Sequence, residues 1–210
     1  MRSIEDLLRT DRIVAIFRGL TMESTLAAAQ GLYEAGVRWF EVTMNSADAV
    51  ADIGALREKL PGDVAVGAGT VLAAGEVDQV AAAGASFVIS PNVDEAVIAR
   101  TRELGLASIP GTFTATEVVR AEAAGADAVK VFPVRPVGAD YVRQLRGPLD
   151  SVPLLVSGGV GAELARECFD AGADCAGVGL GHFGVDVSKP IESSAVAAAG
   201  RRFLATAGVG

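Results

Sequence analysis

Two ionisable residues stand where apolar strands would be expected. Lys130 lies in GADAVKVFPV, residues 125–134, between Val129 and Val131, and Glu41 lies in WFEVT, residues 39–43. Such runs read as strands buried on both faces, where a charged ammonium or carboxylate is costly. Side chains two apart on a strand share a face. Phe40 and Val42 then turn towards covering helices while Glu41 and Thr43 turn inward, and Lys130 turns inward between outward Val129 and Val131. A desolvated amine loses basicity and in its neutral form attacks carbonyls, while a carboxyl of raised pKa can move protons. The pair points to Schiff-base chemistry, with a buried structural ion pair as the bland alternative.

The elements that must carry these residues follow a rhythm of alanine-rich helical stretch, glycine and short apolar run. AGVRWFEVT (35–43), AGASFVIS (83–90), LGLASIPG (104–111), AGADAVKVF (124–132) and AGADCAGVG (171–179) all fit it. The glycine is expected to be a left-handed helix cap and the run after it a strand. VAVGAG (64–69), PLLVSGG (153–159) and IVAIF (13–17) bring the count to eight strands, each followed by a helix-compatible segment at a spacing of roughly 20 to 26 residues. Alternation of this kind predicts parallel strands with crossover helices, and eight units predict a compact (β/α)8 TIM barrel over residues 1–210 as a single domain, with a short N-terminal helix in MRSIEDLLRTDR. A doubly wound open sheet is disfavoured by the strand count and by the lack of a dinucleotide fingerprint.

Composition narrows the function classes. The 210 residues are 50% hydrophobic, enough for a substantial core, and the net charge of −8 argues against a broad nucleic-acid or anionic-membrane surface. No apolar run reaches the length of a membrane span and the N-terminus is too charged for a secretory signal, so a cytoplasmic location is expected. Cys168 and Cys175 have no metal-ligand or disulfide spacing and read as packing residues. The one histidine, His182, reads as a loop residue near a phosphate end rather than a metal ligand. Charged residues such as Glu76, Arg100, Glu117 and Arg120 fall on helices and read as solvated faces.

In a barrel, chemistry collects at the C-terminal ends of the strands. That rule selects Arg18 and Gly19 after the first strand; Glu41, Thr43 and Asn45 on and after the second; Thr70 after the third; and Pro91 after the fourth. It also selects Lys130 on the sixth, Ser157, Gly158 and Gly159 after the seventh, and Gly179, Leu180 and Gly181 after the eighth. Two glycine pairs on adjacent strands predict a phosphate site built from backbone amides.

Taken together, IVAIFRG, GVRWFEVTMNS, VGAGTVL, FVISPN, IPGTFT, VKVFP, SGGV and GVGLG occur in an order and spacing that resembles the 2-keto-3-deoxy-6-phosphogluconate and 6-phosphogalactonate aldolases. The resemblance implies a class I aldolase barrel, usually a homotrimer, with no metal and no organic cofactor. It would cleave a phosphorylated 2-keto-3-deoxy sugar acid to pyruvate and D-glyceraldehyde 3-phosphate. It implies that Lys130 forms the Schiff base, Glu41 is the general acid/base, Arg18 and Thr70 hold the carboxylate, and Asn45, Pro91 and Ser157 touch substrate. Gly158, Gly159, Gly179, Leu180 and Gly181 would hold the phosphate. Asn45 stands where the phosphogluconate branch carries an arginine, and Arg18 with Asn45 looks like the phosphogalactonate branch. Ser157, where the gluconate type has threonine, leaves either C4 epimer, or both, open. The rival readings are a metal-dependent phosphosugar epimerase or isomerase and a non-enzymatic phospho-ligand-binding barrel.

Overall fold

The glycine rhythm turns into a repeated backbone device. Gly36, Gly84, Gly105, Gly125 and Gly172 all have φ between 72° and 114°. After each of them, the next residue's N–H donates back into the helix: Val37 to Leu32 O, Ala85 to Val80 O, Leu106 to Thr101 O, Ala126 to Ala121 O and Ala173 to Cys168 O. This six-to-one closure ends the helix and aims the chain into the following strand.

The computed structural model describes Leu8 and residues 10–210. The expected N-terminal helix lies, apart from Leu8 and residues 10–12, outside the described residues. The strands are β1 (Ile13–Phe17), β2 (Trp39–Thr43), β3 (Ala65–Gly69), β4 (Phe87–Ile89), β5 (Ala107–Ile109), β6 (Gly111–Thr112), β7 (Val129–Val131), β8 (Leu154–Ser157) and β9 (Cys175–Gly179). The helices are α1 (Met22–Ala35), α2 (Ala49–Lys59), α3 (Ala74–Ala82), α4 (Glu95–Glu103), α5 (Ala115–Ala123), α6 (Gly138–Arg146), α7 (Ala162–Asp170) and α8 (Ser193–Ala207).

All pairings are parallel, in the order β5-β4-β3-β2-β1-β9-β8-β7-β6. The two ends of that order are one stretch of chain, because β5 and β6 are separated only by Pro110, so the sheet closes on itself. Proline has no N–H to give to a ladder. Its carbonyl still accepts from Lys130 N–H at 2.8 Å, and Ser108 O accepts from Asp127 N–H at 2.9 Å. The eight expected strands therefore appear as nine segments around one barrel.

The core has two parts. Outward strand residues, Phe40, Val42, Val129 and Val131 among them, pack with Leu32, Ile53 and Leu56 of the helices. Inward residues Val14, Trp39, Phe87, Ile109, Leu155 and Cys175 plug the N-terminal half of the barrel, with the Trp39 and Phe87 rings 5.1 Å apart. Cys168 and Cys175 are buried free thiols on α7 and β9, the packing role expected of them. The charged helix faces pair across neighbours, as in Arg100 with Asp78 and Arg120 with Glu95. Among the described residues no helix is long and apolar enough to cross a membrane.

Candidate active site

Above the aromatic plug the inward positions change character. Ile16 and Glu41 are cross-strand partners, and Glu41 pairs in turn with Gly67. On the opposite wall Gly111 pairs with Lys130, and Ser157 with Gly177. Small residues at these positions leave a cavity of about 250 Å³ at the C-terminal end of the strands. It is lined by Arg18, Glu41, Thr70, Pro91, Lys130, Ser157, Gly158, Gly159 and Gly179, all of them selected from the sequence. Ile16, Phe132, Gly177 and His182 complete the lining.

Lys130 is 6% exposed and Glu41 is 2% exposed. Burial drives the Lys130 amine below the ordinary lysine range; Glu41 opposes the shift and Arg18 adds to it. Burial likewise raises the Glu41 carboxyl, with Lys130 and Arg18 opposing. Desolvation thus outweighs mutual attraction in both groups, which favours the neutral amine and the protonated acid. The two groups feel each other's charge without a direct ion pair. The Phe132 ring centre lies 4.9 Å from Lys130 Nζ.

Two glycines in VGAG make room for large neighbours. A Cβ on Gly69 would overlap the Glu41 carboxylate, and one on Gly67 would come within 2.5 Å of the Phe87 ring. The next residue, Thr70, has φ of 58°, a left-handed conformation that is strained for a β-branched side chain. Arg18 Nη2 reaches Thr70 Oγ1 at 3.5 Å, and Arg18 Nη1 donates to Asn45 Oδ1 at 3.2 Å. Asn45 therefore meets the site through Arg18 and is not itself a lining residue.

The loop that carries Arg18 is tied down by residues that sequence reasoning did not single out for this purpose. Gly19 N–H donates to Ser46 Oγ at 2.9 Å, and buried Thr43 Oγ1 donates to Phe17 O at 3.3 Å while lying 3.3 Å from Ser46 Oγ. An N-S pair after a strand is a common turn composition, so the type of Ser46 alone carried no signal.

On the far wall Gly158 and Gly159 have φ of 98° and 74°, and the missing Cβ of Gly158 faces Pro133. Ser157 Oγ donates to Gly177 O at 3.2 Å, leaving its lone pairs for an incoming hydroxyl. Leu180 opens a 3-10 turn, Leu180–Phe183, and its side chain is buried in the outer core. Neither Leu180 nor Gly181 is a lining residue, whereas His182 is.

Comparison with known proteins gives the same picture. Residues 4–205 match the family model described as KDPG and KHG aldolase. The 2-dehydro-3-deoxy-6-phosphogalactonate aldolase of Escherichia coli K12 is 35% identical over 188 residues, 89% of this chain and 91% of that protein. The KHG/KDPG aldolase of the same organism is 33% identical over 159 residues, 75% of this chain and 74% of that one. A solved native KDPGal structure superposes with a TM-score of 0.80 at 32% identity, covering 92% of this chain and 96% of the other. A barrel with a desolvated lysine and a desolvated carboxyl in one cavity, matched over residues 4–205 by the family model, belongs to the KDPG and KHG aldolase family.

Proposed function

We propose that this aldolase acts through Lys130 as the Schiff-base lysine and Glu41 as the proton carrier, on 2-dehydro-3-deoxy-6-phosphogalactonate, its gluconate epimer, or both. The observation that carries the reading is the placement of a buried amine and a buried carboxyl in one cavity with Arg18 at its rim. Because no ion pair holds the amine, a ketone carbon can approach it without first breaking one.

The neutral Lys130 amine attacks C2, and the carbinolamine loses its hydroxyl as water on receiving a proton from Glu41. The iminium left behind is the electron sink. Glu41 as carboxylate, directly or through one water, takes the C4 hydroxyl proton; the C3–C4 bond breaks and its electron pair forms the enamine. Glyceraldehyde 3-phosphate departs, C3 of the enamine is protonated, and water releases pyruvate and returns the amine. Arg18, held by Asn45 and Thr70, binds the substrate carboxylate. Pro91 borders the chain of the substrate. The amides around Gly158, Gly159, Gly179, Leu180 and Gly181 receive its phosphate.

In this reading Ser157, which lines the cavity, senses C4. Its hydroxyl proton is committed to Gly177 O, so towards substrate it is an acceptor. The 35% identity to a phosphogalactonate aldolase supports that epimer as the preferred one. The same reading takes the chain as one catalytic domain that works in the cytoplasm as a homotrimer, with exposed Leu72, Phe113 and Val119 as contact surface.

Pyruvate release from the two phosphorylated C4 epimers, followed side by side, tests the assignment. Faster turnover of the galactonate form is expected. Release of pyruvate from neither would overturn the substrate class.

A further inference from the structure

The proposed substrate carries two anions, and the two ends of the cavity differ in how they meet them. Arg18 serves the carboxylate end. At the phosphate end the glycine turns offer backbone N–H donors, which carry no net charge. A phosphate dianion moved out of water onto such donors, in a chain of net charge −8, gains from a cation nearby.

Two side chains stand at those turns, Arg135 beside Gly159 and His182 beside Gly179. Arg135, in the loop between β7 and α6, donates its backbone N–H to Gly158 O at 3.2 Å. Its aliphatic stem crosses Gly159 so closely that a Cβ there would lie 2.7 Å from Arg135 Cδ and 3.2 Å from its Cβ. The Arg135 side chain is exposed, and among the described residues its guanidinium has no hydrogen-bond or ion-pair partner. Across the mouth, His182 lines the cavity from the 3-10 turn, its Cδ2 3.9 Å from where a Cβ of Gly179 would stand. The imidazole, too, is exposed and has no partner among the described residues. Two donors from separate loops therefore stand beside the two glycine turns, His182 within the cavity lining and Arg135 just outside it with its stem against Gly159, and both are exposed to solvent, so holding them ready costs little.

We propose that Arg135 and His182 grip the phosphate monoester of the substrate and set the preference of this aldolase for phosphorylated over unphosphorylated aldehydes. The inference rests on the reading that the phosphate end of the substrate lies at these glycine turns. Arg135 supplies a planar fork that can bond two phosphate oxygens at once, and His182 closes the opposite side.

The test runs the reaction in the condensation direction with pyruvate and either D-glyceraldehyde 3-phosphate or D-glyceraldehyde. In Arg135→Ala the ratio of kcat/KM for the phosphorylated aldehyde to that for the plain one should fall roughly 10- to 100-fold, mainly through KM. Arg135→Lys should recover part of the ratio, and His182→Ala should lower it less. Equal losses on both aldehydes in Arg135→Ala would assign the residue to shaping the Gly159 turn and overturn the proposal. An unchanged ratio in both alanine variants would overturn it as well. Competition by inorganic phosphate in the wild-type enzyme separates the two layers. If the wild type favours the phosphorylated aldehyde and phosphate competes, yet the variants keep the ratio, only the Arg135 and His182 assignment fails. If the wild type shows neither preference nor competition, the phosphate-end reading fails with it.

Discussion

The carboxylate of Glu41 rests against the α-carbon of Gly69 on the neighbouring strand, so closely that a methyl group there would overlap its Oε1 atom. Backbone pairing between Thr43 and Gly69 and between Glu41 and Gly67 fixes the two strands, so relief must come from the side chain. Gly69→Ala should therefore displace the Glu41 carboxyl while leaving the barrel assembled. Loss of a positioned general acid/base predicts a fall in kcat of about 100-fold or more, with far-ultraviolet circular dichroism close to wild type. Wild-type turnover in a folded Gly69→Ala protein would mean that Glu41 works from another position.

The shifts of Lys130 and Glu41 have opposite signs and both reach into the pH dependence. Turnover needs a neutral amine, available here below the ordinary lysine range, and a carboxyl that still holds a proton above the ordinary carboxylate range. The basic limb of the kcat/KM profile should thus report a carboxyl titrating later than usual. Stability follows the same signs. With its folded pKa lowered, Lys130 makes the native state bind fewer protons than the unfolded chain, so its desolvation penalty is felt as pH falls below the ordinary lysine value. With its folded pKa raised, Glu41 penalises the native state as pH rises above the ordinary carboxylate value. Lys130→Met should abolish turnover and raise the denaturation midpoint at neutral pH, because an apolar side chain carries no such penalty. A lowered midpoint would show that the buried amine stabilises the fold.

Arg18 and Asn45 divide one task. Arg18→Ala removes the charge facing the substrate carboxylate, and should raise the KM for pyruvate roughly 10- to 100-fold in the condensation reaction with a smaller change in kcat. Asn45→Ala only frees one guanidinium nitrogen, whose bond is 3.2 Å long, and should move KM in the same direction by less. Steady-state kinetics with pyruvate varied would read both. An Asn45 effect larger than that of Arg18 would reverse the assignment.

Thr70 holds a left-handed backbone that glycine would adopt without strain. Thr70→Gly relieves about 1 kcal/mol or more of strain, offset by the greater freedom of glycine in the unfolded chain. The denaturation midpoint of Thr70→Gly should be no lower than that of Thr70→Ala, while both raise the KM for pyruvate through loss of the hydroxyl that Arg18 approaches. If the glycine variant binds pyruvate as well as wild type, the hydroxyl is dispensable.

Periodicity carried most of the architecture because each unit is local. A glycine cap followed by a short apolar run needs only a few neighbouring residues to form, and the five such glycines took the conformation expected of them. Alternation within WFEVT and AVKVF placed Glu41 and Lys130 inward for the same reason. The division of the fifth strand at Pro110 was harder to read, since it depends on which partner lacks an N–H to bond. The seat of Glu41 on Gly69, the Ser46 tie to Gly19 and the Arg135 stem over Gly159 all join residues on different loops or strands. No local pattern encodes such encounters. Asn45, selected as a substrate contact, accepts a hydrogen bond from Arg18, a pairing between loops that no local pattern announces.

Incubation with pyruvate and borohydride, followed by peptide mass spectrometry, tests the central assignment most directly. A reduced pyruvyl adduct on the peptide containing Lys130, absent from Lys130→Met, is the expected result. An adduct on another lysine, or none on folded protein with pyruvate in excess, would contradict the Schiff-base role of Lys130.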